Sequence, residues 1–325
     1  MYILKKLRMY NFTLIIPTHN RHHYLVRSIE YFKDLKAKVI YCDSTNEVFK
    51  GEVFNNMEYL HLPGKRFDEK IVIALKETTT DLVVMCADDD FILINALYYG
   101  SDYLTNNKTY KTVVGKYVGF HQTFDGTFFP IYQKLPNDID FGSEMNSEIF
   151  FKNYYQILWS MSHKKVLVRA FQIVNEVKFH NDNFIELVMG ACACYEGGIK
   201  FLDHIWGARE QSTLEHWGSQ HIPITNMNVA NMNGDFMKFS EAIDSKTSSG
   251  YAKKVLTNYL AGQKKQNRGL RKLVSKLIPW KFKVYIKQNI LRRKTKNDLS
   301  SPKEIELERL QSILFSEGTV VLKNV

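Results

Sequence analysis

The sequence predicts an α/β protein, in which helices flank a mostly parallel sheet and a helical, basic carboxyl-terminal extension follows. Three observations predict it. Short apolar, β-rich runs alternate with longer helix-like stretches from the amino terminus onward. Thr18, Asp43 and Asp88 each stand at the end of such a run, which places polar groups along one carboxyl edge, where open α/β sheets bind ligands. The third observation is charge: the 325 residues carry a net charge of +10, yet 13 Lys or Arg and no acid lie between Lys264 and Asn297, and elsewhere acids outnumber bases by three.

A 45% hydrophobic chain of this length supports one large domain, or one of about 200 residues with an appendage. The expected division is an α/β domain over residues 1–225 and a helical extension over 226–325. No uncharged apolar run approaches the ~18 residues of a membrane-spanning helix, and residues 1–10 lack the features of a secretory signal, so a cytoplasmic location is expected. Cys42 and Cys86 sit in apolar runs, and Cys192 and Cys194 are two apart in a helix-like segment. Buried reduced thiols fit them better than zinc ligands.

Taken in order, residues 12–17 read as the first strand, followed by the loop 18–21 and an amphipathic helix over 22–35. Residues 38–42 and 59–62 read as the next strands. A helix over 68–79 precedes the apolar run 82–86. Beyond the acidic residues come a helix over 93–104, a strand over 111–120 and an aromatic turn over 124–129. A strand over 157–162, helices over 164–177 and 181–194 and a strand over 199–206 complete the domain. The Asn- and Met-rich stretch 226–233 reads as a linker, and Ser301-Pro302 as a helix start.

Asp88-Asp89-Asp90 carries the chemistry. Three carboxylates after a buried strand are costly unless something cationic sits beside them, and hard divalent cations prefer oxygen ligands. Magnesium keeps waters and bridges to substrate phosphates, so such a site implies a phosphorylated ligand. A solvated acidic turn is the alternative.

The ordered set Pro17-Thr18-His19-Asn20-Arg21, Asp43 and Asp88 to Asp90 resembles the nucleotide-sugar glycosyltransferases of the GT-A (Rossmann-like) fold, above all family two and related surface-polysaccharide enzymes, over roughly residues 12–210. The resemblance implies that Pro17, Thr18, Asn20 and Arg21 meet the nucleotide and that Asp43 meets the base or ribose. Arg66 or Lys70 would meet the diphosphate. Asp88 would face the ribose and Asp90 would hold Mn2+ or Mg2+, with Asp89 able to take either role and Asp88 and His216 as further metal ligands. The implied partners are a nucleoside diphosphate sugar donor and a glycan or lipid-linked acceptor.

An inverting transfer also needs a base for the acceptor hydroxyl. The family takes it from the start of a downstream helix, where this chain offers Asp182 and Glu186, four apart and on one helical face. Asp182 is placed first. The residues 159–163 and His216-Trp217 are further candidates for lining the site, and His19, His22 and His23 read as loop residues.

The segment 271–286 interleaves cations with Leu, Ile, Trp, Phe and Tyr, a composition suited to an anionic membrane surface at the inner face; nucleic acid is the weaker reading. Two other classes compete with the transferase. A sugar-phosphate nucleotidyltransferase normally opens with a glycine-rich loop, and residues 18–23 contain no glycine. A non-catalytic polyanion or nucleotide-sugar binding protein would use the basic segment instead.

Overall fold

A computed structural model describes residues 9–120, 128–131, 135–140, 144–211, 224, 229–267 and 303–315. The first half runs β1 (Phe12–Thr18), α1 (His22–Phe32), β2 (Lys38–Asp43), β3 (Met57–His61), α2 (Phe67–Glu77), β4 (Leu82–Met85), β5 (Phe91–Ile92) and α3 (Ile94–Asn106). It continues through β6 (Tyr110–Phe120), β7 (Phe129–Ile131), α4 (Glu144–Lys152), β8 (Met161–His163), α5 (Lys164–Val177), α6 (Asn183–Glu196) and β9 (Gly198–Glu210). Among the described residues there follow α7 (Val229–Lys246), α8 (Tyr251–Asn267) and α9 (Lys303–Phe315).

One sheet takes the order β3-β2-β1-β4-β8-β6-β9-β5, with β7 paired to β6. Parallel pairings carry most of its register, and each antiparallel pairing is only two or three residues long. The fold class is the expected one. Every residue of β1 and β4 is buried, as strands covered on both faces must be, and this is why they appear as continuous apolar runs. Thr18 pairs with Asp43 and Asp43 with His61, so the polar strand ends do share one edge.

Three expectations change in detail. Residues 157–160 form a turn, closed by Ser160 N–H to the Ile157 carbonyl at 3.0 Å, and only 161–163 pair as a strand. β9 runs to Glu210, past the expected end at 206, and Gly207 permits this: a Cβ there would lie 2.4 Å from the Phe91 carbonyl oxygen of β5. The stretch expected as a linker is helical from Val229. The aromatic turn over 124–129 falls largely outside the described residues.

The core runs across position 225. Phe239, Ile243, Tyr251, Val255 and Leu256 of α7 and α8 are buried in the same apolar cluster as the sheet. α9 packs on α1 through Leu307, Leu310 and Leu314. Its Glu306 accepts the backbone N–H groups of Ile94 and Asn95 and the Tyr31 hydroxyl (3.0 Å), capping α3 from over 200 residues away. All four cysteines are buried and unpaired. Among the described residues no helix is long and apolar enough to cross a membrane.

Candidate active site

A cleft of about 710 Å3 opens at the carboxyl edge of β1, β2 and β4, and its floor is the acidic turn. β4 ends at Met85, and Asp90 N–H closes the turn on the Ala87 carbonyl at 3.3 Å. Asp88 accepts the Thr18 hydroxyl at 2.7 Å and Arg21 Nη1 at 3.1 Å, and the same nitrogen reaches Asp89 at 3.0 Å. Asp90 is gripped by the end of β9: Arg209 Nε donates to Oδ2 (3.2 Å) and the Glu210 N–H to Oδ1 (3.0 Å). Behind the turn, buried Arg27 donates to the Asp89 carbonyl (2.8 Å) and to Glu210 Oε2 (2.7 Å).

The cations demanded by the triple acid are thus Arg21, just before α1, and Arg209 of β9. They do not cancel its charge. Burial, and then the charge of Asp89, lift Asp88 to about 6 against the pull of Arg21 and Thr18. Burial raises Asp90 well above the carboxylate range despite Arg209. A further positive charge would be favoured there.

On the β1–β2 wall, Asn20 takes a left-handed conformation (φ 56°), which asparagine tolerates, and its N–H bonds Thr45 Oγ1 at 2.8 Å. Asp43 is fully buried and accepts four hydrogen bonds. Thr45 gives its N–H and hydroxyl, Tyr59 its hydroxyl and His22 its Nε2, all at 2.5 to 2.8 Å. A carboxylate only accepts, so His22 Nε2 carries its proton. Burial pushes Asp43 up, but those donors outweigh it and hold the carboxyl below its ordinary value. Lys70, also buried, donates to the Thr18 carbonyl (2.5 Å) and Ser44 Oγ (3.0 Å), and its burial lowers its basicity.

The opposite wall comes from α6, β9 and the 156–159 turn. Glu186 faces the cleft and accepts Gln156 Nε2 at 2.9 Å and the Tyr154 hydroxyl at 3.4 Å; burial raises its pKa. Trp159 and Leu158 add apolar surface.

Of the residues singled out from the sequence, Pro17, Thr18, Arg21, Lys70, Asp88, Asp89, Asp90 and Glu186 line this one cleft. Asn20 sits beside it, its amide on His19 Nε2 at 3.1 Å. Asp43 lies behind the wall and shapes it rather than facing the cleft. Arg66 and Asp182 line a separate cavity of about 380 Å3 with Asp68, Lys178 and His180. Asp182 immediately precedes the first turn of α6, so it turns toward α2 while Glu186, one turn in, reaches the cleft. Of the two carboxylates, Glu186 lines the cleft and Asp182, placed first from the sequence, does not. His216 lies outside the described residues.

Sequence reasoning missed Arg27, Gln156 and the role of Arg209. Arg27 had a signal, a cation inside the buried face of α1 that also holds Leu25, Ile29 and Phe32. Arg209 had little, because its partner Asp90 is 119 positions away.

A divalent cation would find only oxygen donors in the acidic turn, of the hard type that magnesium and manganese take. Among the described residues no three His, Cys, Asp or Glu side chains converge on a metal. The donors fit a cation whose shell is completed by water and a bound diphosphate.

No family model matches the chain, and no curated protein matches it. Among the solved structures that resemble it are two of one protein, the first being S. aureus TarS 1-349 (TM-score 0.51, 14% identity, covering 79% of this chain and 73% of that one). The second is the same TarS fragment in complex with UDP-GlcNAc (TM-score 0.52, 14% identity, 81% and 77%). At that identity the likeness shows the fold, and it is the GT-A type expected from the sequence.

Proposed function

We propose that the protein is a glycosyltransferase that moves a sugar from a nucleoside diphosphate sugar to a hydroxyl of a glycan or lipid-linked acceptor in surface-polysaccharide synthesis. One observation carries the reading: a single cleft brings an acidic turn, held by Thr18, Arg21 and Arg209, opposite the half-buried carboxylate of Glu186. The TarS complex supports a uridine diphosphate sugar as the first donor to test.

In this reading the acceptor oxygen attacks the anomeric carbon, the bond from that carbon to the diphosphate oxygen breaks, and its electron pair leaves with the diphosphate. The attack comes from the face opposite the departing diphosphate, so configuration inverts, and the acceptor proton passes to the Glu186 carboxylate. Glu186 takes this role from Asp182 because it faces the cleft. Burial raises its pKa, which makes the carboxylate a stronger base. Gln156 fixes one carboxylate oxygen and leaves its face toward the cleft. Asp90, with Asp88, would hold Mn2+ or Mg2+, which supplies charge stabilisation for the departing diphosphate.

Donor hydrolysis tests the reading. Slow, metal-dependent release of nucleoside diphosphate from a nucleotide sugar, lost in Asp90→Ala, is expected. An intact donor under all conditions sinks it, and release of pyrophosphate from a nucleoside triphosphate and a sugar phosphate would instead mark a nucleotidyltransferase. The segment 264–297, mostly outside the described residues, is proposed from its composition to bind an anionic membrane surface. Flotation with anionic liposomes checks it, and equal recovery of a chain ended after residue 262 removes it.

A further inference from the structure

Among the described residues four cationic side chains line the cleft, Arg21, Lys65, Lys70 and Arg209, and their engagements differ. Arg21 divides Nη1 between Asp88 and Asp89, and Lys70 is buried on the Thr18 carbonyl and Ser44. Lys65 stands on the rim beside Glu69. Arg209 bonds Asp90 through Nε alone, and among the described residues neither of its terminal nitrogens makes a hydrogen bond. Its side chain is 23% exposed, so those nitrogens are not sealed in the core.

The guanidinium is also held in plane. Its carbon lies 4.8 Å from the centroid of the Tyr117 ring, and Tyr117 belongs to β6, the strand paired with β9 along most of its length. Stacking on one face and an Nε bond at one edge leave the outer edge, with its paired N–H groups, as the part that meets a ligand. Arg209 lines the cleft together with Asp90 and Glu186, the carboxylates between which the bond to the leaving group breaks in the reading above.

We propose that Arg209 contacts the donor diphosphate, holding Asp90 with Nε while its two terminal nitrogens bond phosphate oxygens in the fork geometry that arginine offers. The inference rests on the donor reading and names a residue that reading did not need. Negative charge grows on the diphosphate as the glycosidic bond breaks, and a fixed donor pair stabilises it without reorganising. A lysine keeps the charge but cannot bond Asp90 and chelate a phosphate at once.

The test is calorimetric titration of the full chain with uridine, uridine monophosphate and uridine diphosphate, once in EDTA and once with manganese. The guanosine and thymidine series replace it if wild type prefers them. Arg209→Met is expected to weaken the diphosphate about tenfold or more, Arg209→Lys about threefold or more, and neither to move nucleoside binding by more than about twofold. The loss persists in EDTA. An equal loss for all three ligands, or an unchanged preference for diphosphate over monophosphate in both variants, overturns the proposal. A loss confined to manganese also overturns it, because Arg209 then acts only through Asp90. Wild type binding no nucleotide in either condition overturns the donor reading itself, a different result from wild-type binding that the variants leave intact. Thermal melting of both variants verifies folding, and the lysine variant alone decides if the methionine variant is unfolded.

Discussion

On the β1–β2 wall of the cleft, Asp43 engages both carboxylate oxygens with Thr45, Tyr59 and His22, and Lys70 engages its ammonium with Thr18 and Ser44. On the α6–β9 wall, Glu186 is held mainly through one oxygen by Gln156, and Arg209 is held through Nε alone. The first wall satisfies its polar groups internally and so fixes the shape of the cleft. The second keeps polar capacity in reserve for a ligand. On these two walls, charged side chains divide into those whose partners fix the cleft and those with hydrogen-bonding capacity left for a ligand.

Glu186→Gln attacks the second wall and carries the largest expected effect. Transfer should fall by about 10²- to 10⁴-fold, the usual contribution of a positioned base, with the melting temperature within a few degrees of wild type. Donor turnover and thermal melting check it. A rate within about threefold of wild type removes Glu186 as the base.

Arg27→Met attacks the tie between the walls, since Arg27 on α1 pairs with Glu210 at the end of β9 and both are buried. Removing one member of a buried pair leaves the other charge uncompensated, at a cost of about 3–5 kcal/mol. Urea unfolding measures it. A loss under about 1 kcal/mol would show that the pair bridges nothing of consequence.

The walls should also differ in the sign of their pH dependence. Asp43 is held below its ordinary pKa, so its contribution to stability is present above the unfolded value and lost as pH falls through the folded one. Glu186 is raised by burial, so its contribution is present below the unfolded value and lost as pH rises through the folded one. Melting curves from pH 3 to pH 8 should show Asp43→Asn flattening the acid limb and Glu186→Gln flattening the decline above it. Unchanged slopes in both variants would contradict the assignment.

Asp182→Asn is the smallest expected effect, about threefold or less in transfer rate, because Asp182 lines the cavity beside Arg66 and not the cleft. A loss as large as that of Glu186→Gln would return the base to Asp182.

The first wall was legible in the sequence because its residues follow directly on apolar runs: β1 leads into Thr18, β2 into Asp43, and β4 toward Asp88. Each is a local signal. The second wall depends on long-range geometry. A helix spacing of four put Asp182 and Glu186 on one face, but whether α6 begins before or after Asp182 decides which of them reaches the cleft, and boundary positions are the weakest part of a periodicity argument. Arg209 looked like a residue beyond the last strand because β9 was expected to stop at 206, and its partner Asp90 lies 119 positions away. Gly207, which lets β9 pass close to β5, was the clue to the longer strand.

The cap that Glu306 places on α3 has a consequence in time. Ile94 precedes it by 212 residues, which at about 5–20 residues per second of synthesis is an interval of about 10–40 s. Through that interval the helix that follows the acidic turn is complete in sequence but not in structure, its first N–H groups still bonded to water. The start of α3, a few residues beyond the acidic turn, is therefore among the last parts of a nascent chain to settle, because its cap arrives only when α9 docks.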